Sequence, residues 1–177
     1  MKFTISKEWL LKSAHLEEGL EVGAGAMIET AACSLPMEWS RFPIKEMYKR
    51  NWFEEFTGSL SAATAEADAL VPSFMARAIR RPLMALQRQR VRTDAAVNPY
   101  ALLAWQCRVL IRAQSESPQS SFKHSRLDDA WLRSLAQLSS RPKGPILAKK
   151  HLRDAGIALV VEPHLKSTHL DGAALLG

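Results

Sequence analysis

Cysteine is scarce in this chain of 177 residues, which holds only Cys33 and Cys107. Two thiols cannot build a disulfide framework, and each lies among small or apolar neighbours, in "AACSL" and "AWQCRVLI". Both are therefore expected to be free thiols of a reducing compartment. Nowhere does an apolar run approach the ~18 residues that a membrane-crossing helix needs. The opening "MKFTISKEWLLKSAHLEEG" also lacks an uninterrupted apolar run of signal-peptide length. A cytoplasmic protein without membrane attachment is the expectation. Internal repeats and low-complexity tracts are missing too, which excludes solenoid and fibrous classes. No nucleophile, base and orienting acid recur at a recognisable spacing, and "GAG" is too short for a dinucleotide fingerprint. The chain is expected to carry no catalytic residue and no cofactor-binding residue of its own.

What is present is helical periodicity, and the 47% apolar content is enough to bury a core. Residues 6–18 place Trp9, Leu10 and Ala14 on a helical period, with Ser6 as cap and Gly19 as stop. Pro43 starts a second helix, in which Ile44, Met47, Tyr48 and Trp52 form one apolar stripe that Gly58 ends. A helix from Ser61 follows, and Pro72 marks either a kink or the start of the next helical piece. "NPYALLAWQCRVLIRAQ" has Asn98 to cap, Pro99 at the first position and an apolar surface over more than half its circumference. It is predicted to be the central, most buried helix. Ser125 followed by Asp128 makes a capping-box-like start of another helix, along which Leu127, Trp131, Leu135 and Leu138 recur. A last helix runs over 145–155 and closes on Gly156. The continuous, β-branched "IALVVE" after it reads as a strand buried on both faces, followed by a turn and a second strand.

The fold expected is mainly α: a bundle of about six helices with a short C-terminal strand or hairpin left over from an incomplete α+β domain. Three segments are expected: residues 1–40, an N-terminal helix and a glycine-containing stretch; 41–140, a helical bundle and linker; and 141–177, the start of a second domain. Trp9, Trp52, Trp105 and Trp131 all fall on apolar stripes and read as core, with Trp39 in a turn.

The net charge of +6 favours an anionic partner if the cations share a surface. Arg77, Arg80, Arg81, Arg88, Arg90 and Arg92 occur without an intervening acid. If Arg77 and Arg81 share one helix face, as do Arg88 and Arg92, they can contact successive phosphates of a nucleic acid. The plainer reading is a solvated basic face, or arginines paired with Glu66, Asp68 or acids of a C-terminal portion beyond this sequence, because no aromatic residue interleaves the run.

The stretch "SLAQLSSRPKGPILAKKHLRDAGIALVVEPHLKSTHLDGAALLG" resembles the opening of the ImmA/IrrE family of zinc metallopeptidase domains. The residues that carry the likeness are Gly156, Ile157, Val160, Val161, Pro163, Leu165, Leu170, Asp171, Gly172 and Ala173. Upstream, "FPIKEMYKRNWF" looks like the segment that follows the DNA-binding domain in antitoxin-like transcriptional regulators of that family. The resemblance implies a helix leading through glycine into a first strand, a turn, and a second strand ahead of a helix bearing His-Glu-x-x-His. Zinc is implied for the full-length parent. This chain has no His-Glu-x-x-His, so the paired imidazoles one helical turn apart and the general base between them are missing. A helix-turn-helix before Phe42 cannot be read either.

On that likeness the chain is expected to be a non-catalytic N-terminal part of such a peptidase or regulator. The alternatives are an interaction module for a protein partner, such as a regulator or a toxin of a toxin-antitoxin pair, and DNA or RNA binding through residues 77–92. His164, His169 and Asp171 form H-x4-H-x-D, which reads as turn chemistry rather than a metal set, with Asp171 closing an Asx-type hydrogen bond. Gly172 reads as a glycine required by backbone geometry or close packing.

Overall fold

The regular elements of the computed structural model follow the apolar periodicity in most places. They are α1 (Ile44–Lys49), α2 (Leu60–Ala65), α3 (Ala67–Ala78), β1 (Met84–Gln89), α4 (Pro99–Ser115), α5 (Asp129–Gln137), α6 (Gly144–Asp154) and β2 (Leu170–Leu176). Single 3-10 turns lie at Trp39–Arg41, His124–Arg126 and Leu138–Ser140. The structure describes residues 38–78, 84–89, 97–116, 118, 121–168 and 170–176. The chain is mainly α-helical, a helical bundle with a short C-terminal strand. The helix expected over 6–18 lies outside the described residues. Two compact units divide the chain: a larger one from Gly23–Arg112 with Glu162–Gly177, and a smaller one whose described part is Ala113–Val161.

In the larger unit α4 is the organising element. The Asn98 side-chain oxygen accepts from the backbone N–H of Tyr100 (3.0 Å) and of Ala101 (3.2 Å), so two otherwise unpaired donors of the first turn are satisfied. Pro99 adds no further orphan. Tyr100, Ala101, Leu103, Ala104, Trp105, Gln106 and Cys107 are all buried, so neighbours surround this half of the helix, as its sequence predicts. Aromatic rings set the packing around it. Phe42 meets Tyr100 edge-on at 5.2 Å, Trp52 stacks on Phe74 at 5.8 Å, and Phe53 meets the same Phe74 edge-on at 6.3 Å.

Helix α1 is shorter than its apolar stripe suggests. It ends at Lys49, and Asn51 takes the left-handed conformation at φ 54°, a region that asparagine tolerates. The turn lets the successive residues Trp52 and Phe53 both bury, which one helix face does not permit. A second difference concerns Pro72. The helix break falls at Glu66, and Pro72 sits within α3, whose buried residues Ala67, Val71, Phe74, Met75 and Ala78 keep one continuous stripe. The carbonyl that Pro72 leaves without an amide belongs to the exposed Asp68, where water can take the missing bond. Ser59 caps α2 by accepting from the N–H of Ala62 at 3.2 Å.

The strand pattern departs most from expectation. Residues 157–162 form no strand, and β2 pairs instead with the distant β1, antiparallel, from Met84↔Leu176 to Arg88↔Gly172 and then Gln89↔Leu170. No local hairpin forms. The step from Gly172 to Leu170 leaves Asp171 as the extra residue of a bulge, so it lies in the strand and not in the turn. The turn comes earlier, at Leu165 and Thr168, with Ser167 at φ 63°. There the Thr168 hydroxyl donates to the Leu165 carbonyl (2.7 Å), and the Asn98 N–H donates to the carbonyl of Ser167 (2.9 Å). A Cβ placed on Gly172 meets nothing within 4 Å, so close packing does not demand glycine there. Ala173 and Leu175, two apart on one strand face, rest half-buried against the core.

In the smaller unit α5 starts after Asp128, whose carboxylate accepts from the N–H of Trp131 at 2.7 Å. Ser125, expected to open the helix with Asp128 inside its first turn, belongs instead to the preceding 3-10 turn, and the cap falls three residues later, at Asp128. The Trp131 ring stacks on His151 of α6 at 4.7 Å, and Ser134 Oγ lies 3.1 Å from His151 Nε2. Gly156 closes α6 as predicted, at φ +87°, with the backbone of Phe122 against it. Two costs therefore coincide in Gly156→Ala: a disfavoured φ, and a Cβ placed 2.5 Å from the Phe122 nitrogen. The variant should lose about 1–3 kcal/mol in urea unfolding. Gly58→Ala, whose Cβ would meet only the movable tip of the Phe56 ring, should lose distinctly less. Equal losses would contradict this account.

Candidate functional site

Residues at the end of α1 and residues 163–166 meet in the larger unit, through the side chains of Glu46 and Arg50. Glu46 and Arg50 stand one helical turn apart, at a spacing that brings their side chains together, and pair at 2.6 Å. The guanidinium fork of Arg50 then reaches the far end of the chain. Its Nη1 donates to the Pro163 carbonyl at 2.8 Å and its Nη2 to the His164 carbonyl at 3.0 Å. The second carboxylate oxygen of Glu46 accepts from the backbone N–H of Lys166 at 3.2 Å. A planar cation with several fixed donors suits two successive carbonyls in a way that a lysine ammonium does not. Leu165, between these contacts, is fully buried in the core.

A second set of charges surrounds Trp52. The guanidinium carbons of Arg50 and Arg108 lie 5.7 Å and 5.9 Å from its ring centroid. Glu54 bridges Arg77 of α3 at 2.7 Å and Arg108 of α4 at 3.2 Å. One turn further along α4, Arg112 pairs at 2.8 Å with the largely buried carboxylate of Glu162, whose carbonyl accepts from the Trp105 indole at 3.3 Å. These contacts tie α1, α3 and α4 to residues 162–166. They orient backbone and hold elements together, and no polarised nucleophile faces a base among them.

Of the arginines singled out in the sequence, Arg77 is paired with Glu54, an acid other than the expected Glu66 or Asp68. Arg88 lies in strand β1, so the helix face it was expected to share with Arg92 does not form. The alternation of "MALQRQ" suits an extended pairing with β2 better than a turn of helix. Arg80, Arg81, Arg90 and Arg92 lie outside the described residues. Gly156 is the helix stop, Pro163 supplies a carbonyl to Arg50, and Asp171 and Gly172 stand at the bulge of β2. Glu46, Arg50, Arg108, Arg112 and Glu162 were not singled out in the sequence. The i, i+4 spacing of Glu46 with Arg50 and of Arg108 with Arg112 was a readable signal, whereas the partners of these arginines in the 162–166 segment were not.

Zinc, implied for the parent family, finds no donor set here. Among the described residues no three His, Cys, Asp or Glu side chains converge, and His164 Nδ1 lies 3.1 Å from the Leu165 carbonyl. The described residues do not fit the metal. Cys107 is a free thiol buried in α4, and burial pushes its pKa up to about 12. No helix among the described residues is long and apolar enough to cross a membrane. Compared with known proteins, the chain matches no family model, no curated protein and no solved structure.

Arg50→Ala should lower the unfolding free energy by about 1–3 kcal/mol, because two carbonyl contacts and one carboxylate contact are lost together. Arg50→Lys should recover less than half of that loss in the same urea titration. Full recovery by lysine would sink the forked-contact argument. With Cys33→Ser in the background, Cys107 should resist Ellman's reagent until the protein unfolds. Because its folded pKa lies above its ordinary 9.0, its contribution to stability is complete below pH 9.0 and is lost as pH rises toward 12. Labelling at the same rate with and without denaturant would contradict the burial.

Proposed function

We propose that the chain is a non-catalytic N-terminal part of an ImmA/IrrE-like zinc metallopeptidase, or of a transcriptional regulator associated with that family. One observation carries the reading. The segment around residues 42–53 and the segment after Gly156, which resemble the family separately and in its order, are joined by Glu46 and Arg50 acting on Pro163, His164 and Lys166. Residues 46–50 and 163–166, more than a hundred residues apart in sequence, thus touch within the larger unit, which supports the reading. The lack of His-Glu-x-x-His supports a scaffold role, since hydrolysis by this type of domain needs two imidazoles on one helix face.

A second reading, a module that binds a regulator or toxin, draws on the smaller unit. Its residues from Ala113 to Val161 hold eight cations against four acids, a balance suited to an acidic protein surface. Nucleic-acid binding through residues 77–92 has less support, since Arg77 is engaged by Glu54.

The test is to translate the reading frame beyond Gly177 and assay peptide cleavage by the chain alone and by the extended product. The proposal expects a His-Glu-x-x-His helix in the extension, chelator-sensitive cleavage by the extended product, and none by the chain alone. A frame that closes without the motif, or chelator-sensitive cleavage by the 177 residues themselves, would overturn it.

A further inference from the structure

The smaller unit contains a strand-like run that pairs with no strand among the described residues. Residues 157–160, Ile-Ala-Leu-Val, have neither turn nor bend, are half-buried, and carry no charge, proline or glycine. The N–H of Ile157 donates to the Leu152 carbonyl at 2.9 Å, but among the described residues the backbone groups of Ala158, Leu159 and Val160 have no hydrogen-bond partner. β-branched and apolar residues in such a run favour a ladder, and an uncharged edge without proline lacks the usual protection against pairing with another chain. The next residue, Val161, is 62% exposed.

The neighbourhood of this run is basic. Phe122, itself 41% exposed, lies with its backbone against Gly156 at the start of the run, and Lys123 follows it. Arg153 stands in the last turn of α6, just before Gly156. Among the described residues Lys123, Arg126, Arg141, Lys143 and Arg153 are exposed and form no ion pair, whereas Lys149 and Lys150 are matched with Glu116 and Asp154.

We propose that residues 157–160 are a docking edge for an extended segment of a partner protein, an apolar strand flanked by acidic residues. The strand would satisfy the open amides and carbonyls of Ala158, Leu159 and Val160, and its acids would face Lys123 and Arg153. The unpaired backbone identifies an extended occupant, and the charge balance identifies an acidic one.

Amide exchange followed by NMR on the full chain tests it. The probe is a capped peptide of alternating valine and threonine flanked by glutamates, with a lysine-flanked version and a version N-methylated at alternate positions as controls. The glutamate-flanked peptide should slow exchange at Ala158, Leu159 and Val160 by about tenfold or more at low salt, and the lysine-flanked one should bind about tenfold more weakly. N-methylation should abolish the protection. Lys123→Glu with Arg153→Glu, both exposed and so tolerated by the fold, should reverse the preference between the charged peptides. Unchanged exchange at the three amides, equal protection by both charged peptides, or protection by the N-methylated peptide would overturn the proposal. So would concentration-dependent protection without any peptide, which would make the occupant a second copy of this chain.

Discussion

The larger unit depends on bringing residues 162–176 back onto helices that precede them by tens of residues, and Arg50 is the group that does so. Residues 162–168 have no regular structure, so their carbonyls are satisfied by no helix or ladder. Arg50 supplies donors to two of them, Glu46 supplies an acceptor to the Lys166 amide, and Trp105 and Arg112 hold Glu162. With that segment fixed, Leu165 enters the core and β2 reaches β1. Arg50 has its own support, since Glu46 neutralises it and the Trp52 ring lies beneath it. The aromatic packing of Trp52 on Phe74 therefore serves the core and also steadies the cation that holds the C-terminal segment.

The helices were largely legible in the sequence because each reports on itself. Asn98 and Pro99 announce α4, and the apolar residues that follow already indicate that this helix is enclosed. Gly156 announces the end of α6 and takes the left-handed conformation that glycine permits. Misreadings arose where a boundary depends on what the next residues must do. The stripe of α1 continues in sequence through Trp52, yet burying both Trp52 and Phe53 requires a turn at Asn51. Pro72 is tolerated inside α3 because the carbonyl it orphans belongs to the exposed residue Asp68, where water can take the missing bond.

Strands were less legible, for a physical reason. A strand exists only with a partner, and hydrophobic run length says nothing of where that partner is. "IALVVE" has the stronger strand composition, yet the ladder forms between "MALQRQ" and "LDGAALL", which have weaker patterns and lie more than eighty residues apart. The bulge at Asp171 has no local signal either. The candidate site was legible only in part: the Glu46–Arg50 spacing is visible, but its carbonyl partners belong to tertiary structure. The basic stretch shows the same limit, since Arg88 depends on a strand that its neighbours alone do not predict.

The central claim is that residues 42–53 and 162–168 belong to one cooperative body. Native-state hydrogen exchange tests it most directly, by comparing the opening free energies of the Met47 and Trp52 amides with that of the Thr168 amide, which donates to the Leu165 carbonyl. The account predicts that all three open together, with the same free energy and the same dependence on added urea. A Thr168 amide that exchanges through a separate, low-energy opening, insensitive to urea, would contradict it.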